Sequence, residues 1–256
     1  MNGLSILVRK ELTEAWRTRR LPMIAGLFLV VGMVSPLTAK YLPEIMKAAL
    51  GSQLTVPMPE PTAVMALDQL QKNLGQMGAL AAIALAMSTV AGELDRGTAA
   101  LVLAQPATRS AFLVAKLAGI GVTLAVSMVL ASVMAWAYTA VLFEPGPVGG
   151  WVVMTVLSWL ALMAWASITF LASTATGSTT AAAGLGFTAL VVLSLAAVVP
   201  TLDRFLPTGL TTPAVQLASG AADPDLGRLA TALLGTVVIV AASLGGALVS
   251  FRRREL

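Results

Sequence analysis

Six apolar runs dominate this chain, each close to the roughly 20 residues that a helix needs to cross a bilayer. They are Leu21–Ala39, Leu74–Gly92, Leu117–Val141, Trp151–Ala172, Ala181–Val199 and Leu229–Ser250. None contains Asp, Glu, Lys or Arg, which are costly at the bilayer centre. Lipid offers the backbone no hydrogen bonds, so a spanning segment must satisfy its own polar groups, and runs of this length do so as helices. The expected fold is an all-α integral membrane protein with six transmembrane helices, organised as one transmembrane domain over residues 1–256. Charged residues make up 11% of the chain, against about 25% in ordinary soluble domains, which excludes a pair of soluble domains. Residues 1–20 precede the first run and no small-residue cleavage pattern closes it, so that run is expected to remain a span rather than leave as a signal peptide.

Basic residues orient the spans. Arg9, Lys10, Arg17, Arg19, Arg20, Arg96, Arg109, Lys116, Arg252, Arg253 and Arg254 flank one side, while Lys40, Lys47, Lys72, Arg204 and Arg228 flank the other. Short cytoplasmic loops carry the excess of Lys and Arg, so both termini and the loop Glu93–Lys116 are expected in the cytoplasm. These charges border spans and form no soluble basic surface, which argues against nucleic acid as a partner.

Several chemistries are missing. The chain has no Cys and no His, which removes disulfides, thiolate metal sites, the commonest general base and the commonest neutral metal ligand. No catalytic, metal or cofactor site is expected. Ser88 and Thr89 read as helix-packing groups, and Asp203, Asp223 and Asp225 as solvated charges of an outer loop. No phosphate-binding G-x-x-x-x-G-K-[ST] loop is present.

Two segments stand out. On a helix over residues 4–20, Leu4, Leu7, Val8, Leu12, Ala15 and Trp16 share one face, and Arg9, Lys10, Arg17 and Arg20 the other. That is the pattern of a helix lying in the membrane interface. Glu11 falls inside the apolar arc at 100° per residue, so it either reaches the headgroups or pairs with a base on a neighbouring cytoplasmic element.

The second segment is the loop Glu93–Lys116. Gly97 permits a sharp exit from span two, Thr98 suits the N-cap of a short helix over Ala99–Ala104, Pro106 stops that helix, and Thr108 suits the cap of the next. Leu101, Val102 and Leu103 give the short helix apolar side chains that need a surface, either the bilayer or a soluble partner.

Among the outer connections, Lys40–Asn73 holds Pro57, Pro59 and Pro61. The second helix is expected to begin beyond them, with Asp68, Gln69, Gln71, Lys72 and Gln76 on its wet part. In the segment 200–228, Phe205, Leu206, Leu210, Val215 and Leu217 are too apolar for a free loop, so a short re-entrant or interfacial helix pair is expected to bury them against protein.

The chain resembles the membrane subunit of an ABC transporter of the export-type (ABC-2 type) permease class. The resemblance begins at the interfacial helix with Arg9, Lys10, Glu11 and Arg19. It includes the exit from span one, Ser35-Pro36 to Tyr41-Leu42-Pro43-Glu44, and centres on Glu93, Gly97-Thr98, Leu101, Pro106, Arg109, Phe112 and Lys116. It implies that the loop between spans two and three carries a cytoplasmic coupling helix that docks on a separate ATPase. It further implies that ATP and Mg are bound there and not by this chain, and that two permeases, identical or paralogous, form the pathway in a prokaryotic plasma membrane. Two other readings remain at this stage: a secondary transporter or channel that needs no ATPase, and a non-transporting scaffold or assembly factor.

Overall fold

The computed structural model describes residues 2–50, 60–95 and 108–253. Helix α1, Asn2–Arg17, precedes α2, Arg20–Leu50. The next span is assembled from α3 (Ala63–Asn73), a π-helical turn (Leu74–Gly78), α4 (Ala79–Met87) and α5 (Ala91–Asp95). Three long helices follow: α6 (Arg109–Leu142), α7 (Val148–Thr176) and α8 (Thr179–Ala196). After α9 (Pro200–Asp203), a 3-10 turn (Pro207–Leu210) and α10 (Thr211–Ser219), the chain ends its described part in α11, Leu226–Arg252. Six stretches are long and apolar enough to cross a membrane: Arg20–Ala48, Ala63–Glu93, Ser110–Leu142, Val148–Thr176, Thr179–Ala196 and Leu226–Arg252. They contain the six expected spans almost residue for residue, and no strand occurs among the described residues.

The second, third and fourth spans form the middle of the bundle, with 61%, 50% and 56% of their apolar windows buried, whereas the fifth has 11%. Lipid tails give apolar helices no hydrophobic reason to associate, so close packing and polar contacts must hold the bundle together. The α2–α6 pairing illustrates this. A Cβ on Gly32 would lie 2.3 Å from the Ala131 carbonyl oxygen, so the two backbones touch only because Gly32 has no side chain. Polar contacts supplement the packing. Gln71 and Ser158 exchange hydrogen bonds of 2.9 and 3.1 Å, and the Asn73 amide donates to Ser35 Oγ at 2.8 Å.

Helix α2 runs on through Pro36 and Pro43, and Ser35 donates to the Val31 carbonyl at 2.6 Å just before Pro36. Two expectations are corrected. Gln71 is buried, not wet, because Ser158 of span four satisfies its amide. Asp203 is also buried. It pairs with Arg228 and accepts from Thr208 Oγ1 at 2.6 Å, which joins α9 to the start of α11.

The outer segment folds back on the bundle and buries Leu210 and Val215, but Phe205, expected to be buried with them, is exposed. The fit is tight enough that a Cβ on Gly150 would lie 1.9 Å from the Leu217 carbonyl oxygen. Gly220, at φ 75°, ends α10 in the left-handed conformation that glycine adopts without strain.

Candidate functional site at the base of the loop between spans two and three

The end of the bundle that carries α1 gathers the charges that the sequence scatters. Lys116 lies two turns into α6 and is 3% exposed, yet it keeps its charge partners close. Its ammonium donates to both carboxylate oxygens of Glu11 at 3.0 Å and to Glu93 Oε1 at 2.7 Å. Lys10 donates to the same Glu93 oxygen at 3.3 Å and lies 3.9 Å from Glu14. Thus one buried cation joins α1, the end of span two and the start of span three. Burying an ion is expensive unless it is paired and hydrogen-bonded, and here both conditions hold.

Burial alone would depress the Lys10 ammonium, but Glu93 and Glu11, with Glu14 beside them, outweigh it and raise its pKa above the ordinary lysine value. Carboxylate oxygens of Glu11, Glu14 and Glu93 approach within 4.8 Å of one another, and Lys116 and Lys10 supply the positive charge that this trio needs. A small cavity of about 40 Å³ beside them, lined by Glu11, Glu14, Arg20, Lys116, Gly119 and Thr123 among others, has room for roughly one water.

Aromatic rings extend the cluster to the last span. Phe112, one turn before Lys116, stacks on Phe251 of α11 at 5.6 Å between centroids, and the Lys116 ammonium stands 5.3 Å from the Phe112 ring. The helix that presents them starts where Thr108 Oγ1 accepts from the Ala111 amide at 3.2 Å, the cap anticipated from sequence.

Glu93 and Lys116 of the anticipated loop therefore meet, and the pairing reading of Glu11 is the one realised. Gly97, Thr98, Leu101, Val102, Leu103 and Pro106, and with them the short helix over Ala99–Ala104, lie outside the described residues, as does the side chain of Arg109. On α1 the protein-facing side is formed by Leu7, Val8, Glu11, Leu12 and Ala15, buried or half-buried, while Arg9 and Lys10 are exposed. Trp16, 65% exposed, lies outside this side, and Leu4, in line with Leu7 and Glu11, is 38% exposed.

Sequence reasoning missed Ser173. Span two unwinds between α4 and α5, over Ser88–Val90. The Ser173 hydroxyl, from the last turn of α7, occupies the break. It accepts from the Ala91 amide at 3.0 Å and donates to the Met87 carbonyl at 2.9 Å. No local signal marks the residue, since serine near a helix end is ordinary and its partners lie more than eighty positions away.

The family model described as "ABC-2 family transporter protein" matches residues 5–216. The chain is also 29% identical over 148 residues, 56% of its length, to a protein of Bacillus subtilis (strain 168) described as "Uncharacterized transmembrane protein YxlG". That match spans 57% of the relative's length.

Proposed function

Because this chain belongs to the ABC-2 family of transporter proteins, we propose that it is the membrane-spanning permease subunit of an ATP-driven exporter, working as a dimer with a second copy or a paralogue. Family membership makes it a multi-pass membrane transport component rather than a catalyst, and implies an associated ABC ATPase. In this reading the ATPase is a separate subunit that holds ATP and Mg and docks on the loop Glu93–Lys116. Both termini are cytoplasmic, the membrane is the plasma membrane of a prokaryote, and cargo moves outward between the two permeases.

The observation that supports docking there is the closure of the loop's base. Glu93 and Lys116 stand 23 residues apart in sequence and 2.7 Å apart in space. A push on a loop whose two ends are tied together displaces both spans as one, and α1 with them through Glu11. A loop with loose ends would dissipate the same push. The apolar residues Leu101, Val102 and Leu103 provide a surface for a groove on the ATPase.

The test is Leu101→Arg in the tagged chain, purified from membranes of a host that also makes the candidate ATPase. At an anionic membrane surface an arginine is welcome, whereas in a protein groove it buries an unpaired charge at a cost of about 3–5 kcal/mol. The expected outcome is normal insertion with loss of ATPase co-purification. Wild-type recovery of the ATPase with the variant would refute docking at this loop.

A further inference from the structure

The break in span two has no breaker in its own sequence. Met87, Ser88, Thr89, Val90 and Ala91 include neither proline nor glycine, and a helix could run through them. The kinks of long helices have identifiable causes, one of which is a side chain inserted into the ladder of backbone hydrogen bonds. Here the bond that a continuous helix would make, Ala91 N–H to the Met87 carbonyl, is replaced by the two bonds of Ser173 Oγ. The neighbouring backbone groups are also satisfied. Thr89 Oγ1 donates to the Leu85 carbonyl at 2.6 Å, the Thr89 amide turns to the Ala86 carbonyl at 3.2 Å, and the Glu93 amide turns to Val90 at 3.1 Å. Buried backbone groups must be paired, and every group named here is.

The insertion links two parts of the bundle. On one side of the break, α5 leads within two residues to Glu93 and the tied base of the loop. On the other, Ser173 is fully buried and its own carbonyl accepts from the Gly177 amide at 3.1 Å. That bond closes the turn between spans four and five, where Gly177 is left-handed at φ 67°. One residue thus holds the break of span two with its hydroxyl and the hairpin of spans four and five with its carbonyl.

We propose that Ser173 is a positioning residue for coupling: its hydroxyl holds span two open at Ser88–Val90, and that hinge passes displacement of the loop base to spans four and five. The helix has two settings. With the hydroxyl inserted the ladder is broken, and with it withdrawn Ala91 bonds Met87 and α4 and α5 become one rod. Both settings pair the Met87 carbonyl and the Ala91 amide, and a withdrawn Ser173 hydroxyl can donate to a carbonyl one turn back in its own helix, as serines in helices do. This rests on the permease reading for its mechanical role, but the hinge itself does not depend on it.

The experiment compares Ser173→Ala and Ser173→Thr with the wild type in the full chain, reconstituted with the ATPase that co-purifies with it. Threonine keeps the hydroxyl and alanine removes it. In the first arm, hydrogen–deuterium exchange is followed on the peptide covering Ser88–Glu93. Exchange slows in the alanine variant as the rod closes and returns to the wild-type rate with threonine. In the second arm, ATPase co-purification is unchanged in both variants, while stimulation of hydrolysis by the permease falls at least tenfold with alanine and recovers with threonine. A merely structural serine would lower assembled yield without this split. Wild-type exchange in Ser173→Ala, or a threonine variant as uncoupled as alanine at normal yield, overturns the proposal. If the wild-type chain itself fails to stimulate the ATPase, the permease reading fails, and the exchange arm still decides the hinge.

Discussion

Lys116 Nζ stands 3.0 Å from each carboxylate oxygen of Glu11, a residue 105 positions earlier in the chain. The pair fixes where α1 lies against span three, and the approach is close enough that a Cβ on Gly119 would meet Glu11 Cβ at 3.1 Å. A side chain that would be a defect in an interfacial helix is here the point of attachment.

Removing Lys116 takes away the buried cation between Glu11 and Glu93 and leaves them only the more exposed Lys10, at 3.5 and 3.3 Å. Lys116→Met is expected to destabilise the purified chain by about 3–5 kcal/mol, the usual cost of breaking a buried ion pair from one side. Adding Glu11→Gln to it should cost little more, because the second change removes a charge whose closest cation the first has already taken away. A double-mutant cycle by thermal unfolding in detergent measures this coupling, and strictly additive losses would show that the contact carries no energy.

Two glycines of span one provide a matched test of packing. A Cβ on Gly32 meets the Ala131 backbone at 2.3 Å, while one on Gly26 has nothing within 4 Å. Gly32→Ala should therefore separate α2 from α6 and cost about 1–3 kcal/mol, as overpacking does. Gly26→Ala should be neutral or slightly stabilising, since alanine is the better helix former. Melting temperatures of the two variants in one detergent decide it, and equal shifts would place the crossing elsewhere.

The raised pKa of Lys10 gives a pH prediction with a definite sign. The folded value lies above the ordinary lysine value of 10.5, so its pairing with Glu93 and Glu11 stabilises fully below that value. The contribution disappears as pH climbs through the folded value. Stability from this residue should be flat across neutral pH and decline only in the strongly alkaline range. NMR titration of the chain with ¹³C-labelled dimethyl-lysine checks this, and a Lys10 midpoint below that of exposed lysines would contradict it.

The spans were legible because lipid removes the ambiguity that soluble helices carry: twenty apolar residues without a charge have one economical reading. Thr108 was legible as a cap for a local reason, since its hydroxyl serves an amide three residues on. Glu11 was half legible. Its place in the apolar arc announced a partner, but nothing in the order of residues singles out Lys116 from the other bases of that side. Gln71, Asp203 and Ser173 were not legible at all. Each looks like a solvated or packing residue until Ser158, Arg228 or the Met87–Ala91 break is brought to it by folding.

The long separation of Glu11 and Lys116 also sets an order of events during synthesis. At about 5–20 residues per second, Glu11 is added to the chain roughly 5–20 s before Lys116. Throughout that interval α1 has no seat, and its carboxylate must wait in water or among headgroups. The N-terminal helix therefore docks late, after two spans have entered the bilayer and a third has begun. A chain stalled before that point leaves an undocked helix at the membrane surface, and one threaded wrongly after it leaves a bare lysine as well.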